Sequence, residues 1–390
     1  MKPSQQRQTR WFPAAFINML SKVQKIFTSR YDRVMQSHCA KGSRFRQLIS
    51  DHKVQCAEIL SAAGRAEEVR STVKEILTEN FGSLSNKDAS FVVFGSLARD
   101  EWTSGSDLDW TLVIDGQADP EHAVIARKIA LSLKERFNAP GATGIFGTLS
   151  FSHDLVHRIG GQHDTNQNTT QRILLLLEAD AIGLGVGALG PEGAAFGRVL
   201  EAVLLRYLET DPSSGKLPRF LLNDIVRFWR TIAVDFANKQ RERSGAGWGL
   251  RNAKLRLSRK LIFAAGMLIC FGFAKTTAEL KPAEKDRPPV DILRGLVGRT
   301  PLEVLASACL DAQLNLAAVN NIFESYNAFL GILGDQSKRE ELNDLRSEGA
   351  QKSALFQEIR TISRDFQSGL TTLFFETDSF RNLTRKYGVF

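Results

Sequence analysis

Phe94-Gly95-Ser96-Leu97-Ala98-Arg99-Asp100-Glu101-Trp102-Thr103-Ser104-Gly105-Ser106-Asp107-Leu108-Asp109-Trp110-Thr111-Leu112-Val113-Ile114-Asp115 joins two apolar runs through a polar loop. The first run is Phe91 to Phe94 and the second is Trp110 to Ile114. Alternation along a strand sends residues two apart to the same face, so Asp107 and Asp109 point the same way. Two carboxylates so placed repel each other, and a divalent cation relieves that repulsion. Mg²⁺ characteristically takes one or two carboxylates together with the phosphates of a substrate. Gly95 permits close backbone approach, and Ser96 offers a hydroxyl and an N–H to a phosphate oxygen. The stretch predicts a metal-dependent site that handles phosphate, with Asp107 and Asp109 as ligands of Mg²⁺ or Mn²⁺.

Gly95-Ser96, Arg99, Glu101 and Ser106-Asp107-Leu108-Asp109 resemble the nucleotidyltransferase superfamily that shares the palm of DNA polymerase β. Within it the chain looks most like the protein-PII uridylyltransferases and their relatives. The segment from Gly144 to Gly147 and the helix-like run Thr170 to Asp180 share that likeness. The resemblance spans roughly residues 70 to 270. It implies transfer of a nucleoside monophosphate from a nucleoside triphosphate to an acceptor hydroxyl, with release of pyrophosphate and a protein as the favoured acceptor. A second-messenger product and an RNA 3′ end are the alternative acceptor readings; a nucleotide sensor or scaffold is the non-enzymatic one. The resemblance further implies that Gly95, Ser96, Arg99 and Glu101 contact substrate; Ser106 is a further substrate-binding candidate, and Thr103 and Ser106 also read as hydrogen bonders that order the loop. It also implies a third carboxylate from a later strand. Asp154, just past the third predicted strand, is the first choice for it, ahead of Asp164 and of Glu178, which lies well along a predicted helix.

The chain has 390 residues, enough for two or three domains and a substantial core. Hydrophobic residues make up 43% and charged residues 24%, as in a soluble globular protein. A net charge of +8 suits a nucleotide or nucleic-acid partner without establishing one. Cys39, Cys56, Cys270 and Cys309 are scattered without metal-type spacing, which fits a reducing compartment and a cytoplasmic location. The longest apolar run, Leu261 to Ala274, is too short for a membrane span and reads as a buried helix. Residues 1 to 30 form a basic amphipathic stretch, read as a helix packed on the body of the protein.

The expected class is α+β. A helical segment over 1–88 precedes a small mixed-sheet palm over 89–168, with helices on one face. All-helical parts follow: a substrate-binding region over 169–274, a linker over 275–289 and a C-terminal region over 290–390. Strands are predicted at 90 to 115 and 145 to 151, around a helix from Glu121 to Phe137. A single helix is predicted from Thr169 to Gly183. A basic set between Arg219 and Lys260 includes Arg227, Arg230, Lys254, Arg256 and Arg259, at helical spacing with interleaved aromatics. Lys254 and Arg256 are the candidates for binding the triphosphate. His153 and His157 have a spacing that suits zinc on a helix, but the Gly160-Gly161 break and the lack of nearby cysteine argue against it.

Overall fold

The computed structural model describes residues 43–81, 88–141, 145–182, 194–209, 217–280 and 286–388. The basic N-terminal stretch, Cys39, Gly144 and the Gly-rich turn from Gly183 lie outside the described residues. Ser43–Phe390 forms one compact unit. Helices α1 (Ser43–His52) and α2 (Ala57–Phe81) lead into strand β1 (Ala89–Phe94) and a single turn, α3 (Gly95–Ala98). Strand β2 (Trp110–Ile114), helix α4 (Pro120–Lys134), strand β3 (Thr148–Phe151), helix α5 (Asn166–Leu177) and strand β4 (Ala179–Ala181) follow. The rest is helical: α6 (Ala195–Glu209), α7 (Arg219–Glu242), α8 (Trp248–Lys254), α9 (Lys260–Ala278), α10 (Pro289–Val297) and α11 (Pro301–Asp311). Then come α12 (Leu316–Gly334), α13 (Gln336–Asp344), α14 (Ala354–Thr371) and α15 (Asp378–Tyr387).

The four strands form one mixed sheet in the order β3-β2-β1-β4. β1 is antiparallel to both β2 and β4, while β2 and β3 run parallel. Every residue of β1 and β2 is buried, as a strand covered on both faces requires. Phe91, Val93, Trp110 and Leu112 pack against Val73 and Leu77 of α2 and Ile125 and Ile129 of α4. The alternate residues Val92, Phe94 and Val113 join the core of the helical region. Helices therefore cover both faces of the sheet, not one. An apolar run leaves no polar side to face water.

Two further differences matter for the site. The expected helix from Thr169 to Gly183 ends at Leu177, and residues 179–181 add a fourth strand beside β1. The sheet thus draws a strand from beyond residue 168. The run Trp248–Ala278 is one long helix interrupted by a π-turn over Leu255–Arg259, so helix replaces the start of the expected linker through Ala278. By length and composition this run could cross a membrane, yet 61% of its apolar window is buried inside the protein. Leu261, Leu268, Phe271 and Phe273 of α9 lie in the core that α7, α10 and α11 surround. It is the central helix of the helical region.

Candidate active site

Strand direction decides which acids can meet. β1 ends at Phe94, whose N–H donates to the Asp109 carbonyl at 2.8 Å. β4 begins at Ala179, opposite Phe94. The C-terminal end of β1 and the N-terminal ends of β2 and β4 therefore share one edge, and Gly95, Asp109 and Glu178 stand on it. The odd-numbered residues of β2 face the helical region, since Val113 belongs to that core while Trp110 and Leu112 belong to the other. By the same parity Asp107 and Asp109 look toward the helical region, and Leu108 looks away. A cleft of about 420 Å³ lies on the Leu108 side, lined by Trp110, Leu133, Phe137 and Phe146, and so is not the carboxylate site.

Gly95 is required here by geometry. Its φ is +67°, and a Cβ at this position would stand 2.9 Å from Asp109 Oδ2. The close approach is to the carboxylate of Asp109. Ser96 is half-buried beside it, and its hydroxyl has no hydrogen bond among the described residues. Asp107 is exposed and Asp109 half-buried. Burial pushes the Asp109 carboxyl up to about 6; Arg259 and Lys254 pull it down, and Glu178 and Asp107 push it up.

Arg259 and Lys254 reach this edge because of the π-turn. Residues five apart lie on different faces of an α-helix, but a π-turn, with its i to i+5 hydrogen bonding, brings them nearly into line. Lys254 and Arg259 bracket the turn. Burial, with the charges of Arg339 and Arg259, lowers Lys254 to about 8, while Asp107 and Asp109 oppose that shift. Arg256 lies off this face. Its guanidinium donates to Asn252 Oδ1 at 2.5 Å, and Arg360 is the cation acting on it. Arg259 holds the position expected of Arg256.

Arg99 and Glu101 neither face an open cleft nor form a surface pair. They are 7% and 3% exposed, joined at 2.8 Å, and Arg99 also pairs with Glu178. Arg259 reaches the other oxygen of Glu178 at 3.4 Å. Two guanidiniums thus answer two buried carboxylates, as buried charge demands. The remaining Glu101 oxygen faces the Tyr326 hydroxyl without a well-aligned hydrogen bond. Burial pushes the Glu101 carboxyl up and Arg99 opposes it; burial likewise raises the Tyr326 hydroxyl, with Glu101 adding to the effect. The structure turns Arg99 and Glu101 from substrate contacts into the pair that fixes Glu178. Ser106 is also turned inward, since its hydroxyl accepts from the Thr103 N–H at 3.0 Å and orders the loop.

Asp154 does not join this edge. β3 runs parallel to β2, with Phe151 beside Ile114, so its C-terminal end lies at the far end of the sheet from Asp109. Five residues of strand separate those ends, about 16 Å. Asp154 is half-exposed there, in a π-turn over His153–His157, and pairs with Arg158 at 3.0 Å. The His153 and His157 rings lie 5.5 Å apart in the same turn. Asp164 is buried in a separate network with Arg172, Tyr207 and Asp224. Glu178, which the sequence placed last, is the acid brought to Asp109. It caps α5 rather than lying along it.

The donor set fits a divalent cation. Asp107 and Asp109 give oxygen ligands on one face, where the charges of Glu178 and Asp107 bear on Asp109 beside those of Arg259 and Lys254. Among the described residues no group of three acidic, histidine or cysteine side chains forms a metal site. Two protein ligands, completed by substrate phosphate and water, is the pattern Mg²⁺ favours.

A comparison with curated proteins gives no match. Residues 70–138 match the family model of the nucleotidyltransferase domain. The match covers the C-terminal half of α2 from residue 70, then β1, the loop with Asp107 and Asp109, β2 and α4. That stretch is a nucleotidyltransferase domain, and the chain that carries it is a transferase of nucleotidyl groups.

Proposed function

We propose that the protein moves a nucleoside monophosphate from a nucleoside triphosphate to a hydroxyl group of a protein acceptor. The acceptor oxygen gives up its proton to water and bonds to the α-phosphorus, the bond to the bridging oxygen breaks, and that electron pair leaves with pyrophosphate. The observation that carries this reading is the single edge holding Gly95, Asp107, Asp109 and Glu178, with Lys254 and Arg259 facing it. Asp107 and Asp109 would hold Mg²⁺ or Mn²⁺, which when bound neutralises phosphate charge and makes the acceptor hydroxyl a better nucleophile. Lys254 and Arg259 bring positive charge to the triphosphate. Ser96 adds a free hydroxyl donor beside Gly95. Arg99 and Glu101 act at one remove: they fix Glu178 on the edge beside Asp109. The protein acceptor rests on the likeness to uridylyltransferases. A cytoplasmic site of action belongs to the same proposal and is supported by the free thiols of Cys56, Cys270 and Cys309.

The test uses each α-labelled nucleoside triphosphate with Mg²⁺, alone and with extract of the source cells. The Asp107→Ala/Asp109→Ala double variant is the control. Label on protein, lost in the double variant, is the expected result. Label in RNA or in a small soluble product would replace the protein acceptor by one of those. No transfer under any condition would overturn the enzymatic reading.

A further inference from the structure

The loop before Asp107 is held down by the C-terminal helical region. Arg339 of α13 donates from Nη2 to the Gly105 carbonyl, and the Ser104 hydroxyl reaches the Gly334 carbonyl at 3.4 Å. A Cβ on Gly105 would collide with Nε, Cδ and Cζ of Arg339, so the guanidinium lies directly on the Gly105 backbone. This fixes the side chain beside the metal-ligand loop. Arg339 is half-buried, and no carboxylate forms an ion pair with it among the described residues. The acid whose charge reaches it is Asp107, and its own charge reaches Lys254. A guanidinium carries five donors, and the Gly105 carbonyl accepts from one. Partly desolvated cations held side by side with donors in reserve are costly until an anion enters between them. A planar guanidinium matches phosphate oxygens bidentately, which an ammonium cannot do.

We propose that Arg339 is a triphosphate-binding residue, supplied by the C-terminal helical region beside Lys254, and that Gly105 is glycine so that Arg339 can lie over it. The proposal rests on the nucleoside triphosphate reading above. It assigns the far helices a direct part in the site, 234 residues along the chain from the loop they meet.

The test measures binding of ATP, AMP and inorganic tripolyphosphate, with Mg²⁺ present, by displacement of a fluorescent ATP analogue. It compares the full chain with Arg339→Gln, Arg339→Lys and Gly105→Ala. Arg339→Gln should weaken ATP and tripolyphosphate about ten- to a hundredfold, the usual range for a lost charge-assisted hydrogen bond. AMP should change by no more than about twofold. Arg339→Lys should restore part of the loss, and Gly105→Ala should reproduce it by displacing the side chain. Equal losses for AMP and tripolyphosphate would make Arg339 a structural residue and overturn the inference, as would unchanged binding in Arg339→Gln and Gly105→Ala. Should Arg339→Gln not fold, the lysine and Gly105 variants decide by the same comparison. If the wild-type chain binds neither ATP nor tripolyphosphate, the functional reading and this inference both fall. If it binds both without regard to Arg339, the inference alone falls.

Discussion

At Gly95 a methyl group has nowhere to go, because the backbone is left-handed and Asp109 Oδ2 would lie 2.9 Å away. Gly95→Ala should therefore cost about 1–2 kcal/mol for the left-handed conformation, and it should also push the Asp109 carboxylate off the edge. Urea denaturation reads the first effect and nucleotidyl transfer the second. A variant of full activity would show that Asp109 does not need this position. Arg99 makes a different kind of claim. With Glu101 and Glu178 both buried against it, Arg99→Met leaves Glu101 without a counter-charge and Glu178 with Arg259 alone, and should destabilise the fold by about 3–5 kcal/mol. If instead the variant keeps its stability and only KM for the nucleotide rises, Arg99 touches substrate. These residues also mark the reach of sequence reading. Gly95, Asp107 and Asp109 stand out because two all-apolar strands frame them and because spacing of two is meaningful on a strand. Thr103 and Ser106 could be read as ordering the loop, but Arg99 and Glu101 gave no sign that they turn inward. Burial depends on Tyr326 and Glu178, which arrive from elsewhere in the chain.

Two short elements carry the parts of the site that periodicity could not reveal. β4 has three residues, too few to alternate, and it follows a helix whose last five residues are all buried and apolar. The apolar pattern therefore ran on past Leu177, hid the strand, and left Glu178 apparently mid-helix. The π-turn over Leu255–Arg259 is equally silent, because one extra residue per turn shifts faces without changing composition. It decides that Arg259 rather than Arg256 joins Lys254. That pairing has a consequence in pH. Lys254 in the folded protein titrates near 8 against an ordinary 10.5, from burial first and then from Arg339 and Arg259. Below about 8 both folded and unfolded chains are protonated here, and the penalty is full and constant. Between about 8 and 10.5 the unfolded chain binds the extra proton, so this residue makes stability rise with pH across that window. The difference in urea-unfolding free energy between wild type and Lys254→Met should shift toward the wild type over the same window. A difference that stays flat from pH 7 to 10.5 would mean that Lys254 is not held among these cations.

Among the described residues no seam separates the sheet from the helices that follow it. Val92, Phe94 and Val113 belong to the same core as Leu268 of α9, Leu305 of α11 and Phe329 of α12. Arg339 belongs to this scale too, since only the closed fold sets α13 against the Asp107 loop. No local pattern in the sequence could announce that contact. One core should open as one unit, and the cysteines can report it. Cys56 precedes α2, Cys270 lies in α9 and Cys309 in α11, and all three are buried in that core. Burial pushes the Cys56 thiol up to about 12, with Glu324 adding to it, and burial also raises Cys270 and Cys309. The thiolate is the reactive form, so alkylation at pH 8 must wait for opening. In a Cys39→Ser background, iodoacetamide should leave all three unlabelled in native buffer. Across a urea series they should become reactive together, over the interval in which helical circular dichroism is lost. Cys56 lies at the start of the helix that covers one sheet face, whereas Cys270 and Cys309 lie in the helical region. Labelling of Cys56 at lower urea than the other two would therefore show the start of α2 leaving the helical core before the rest of that core opens. The core would then open in stages, with the helix that covers one sheet face released from the helical region first.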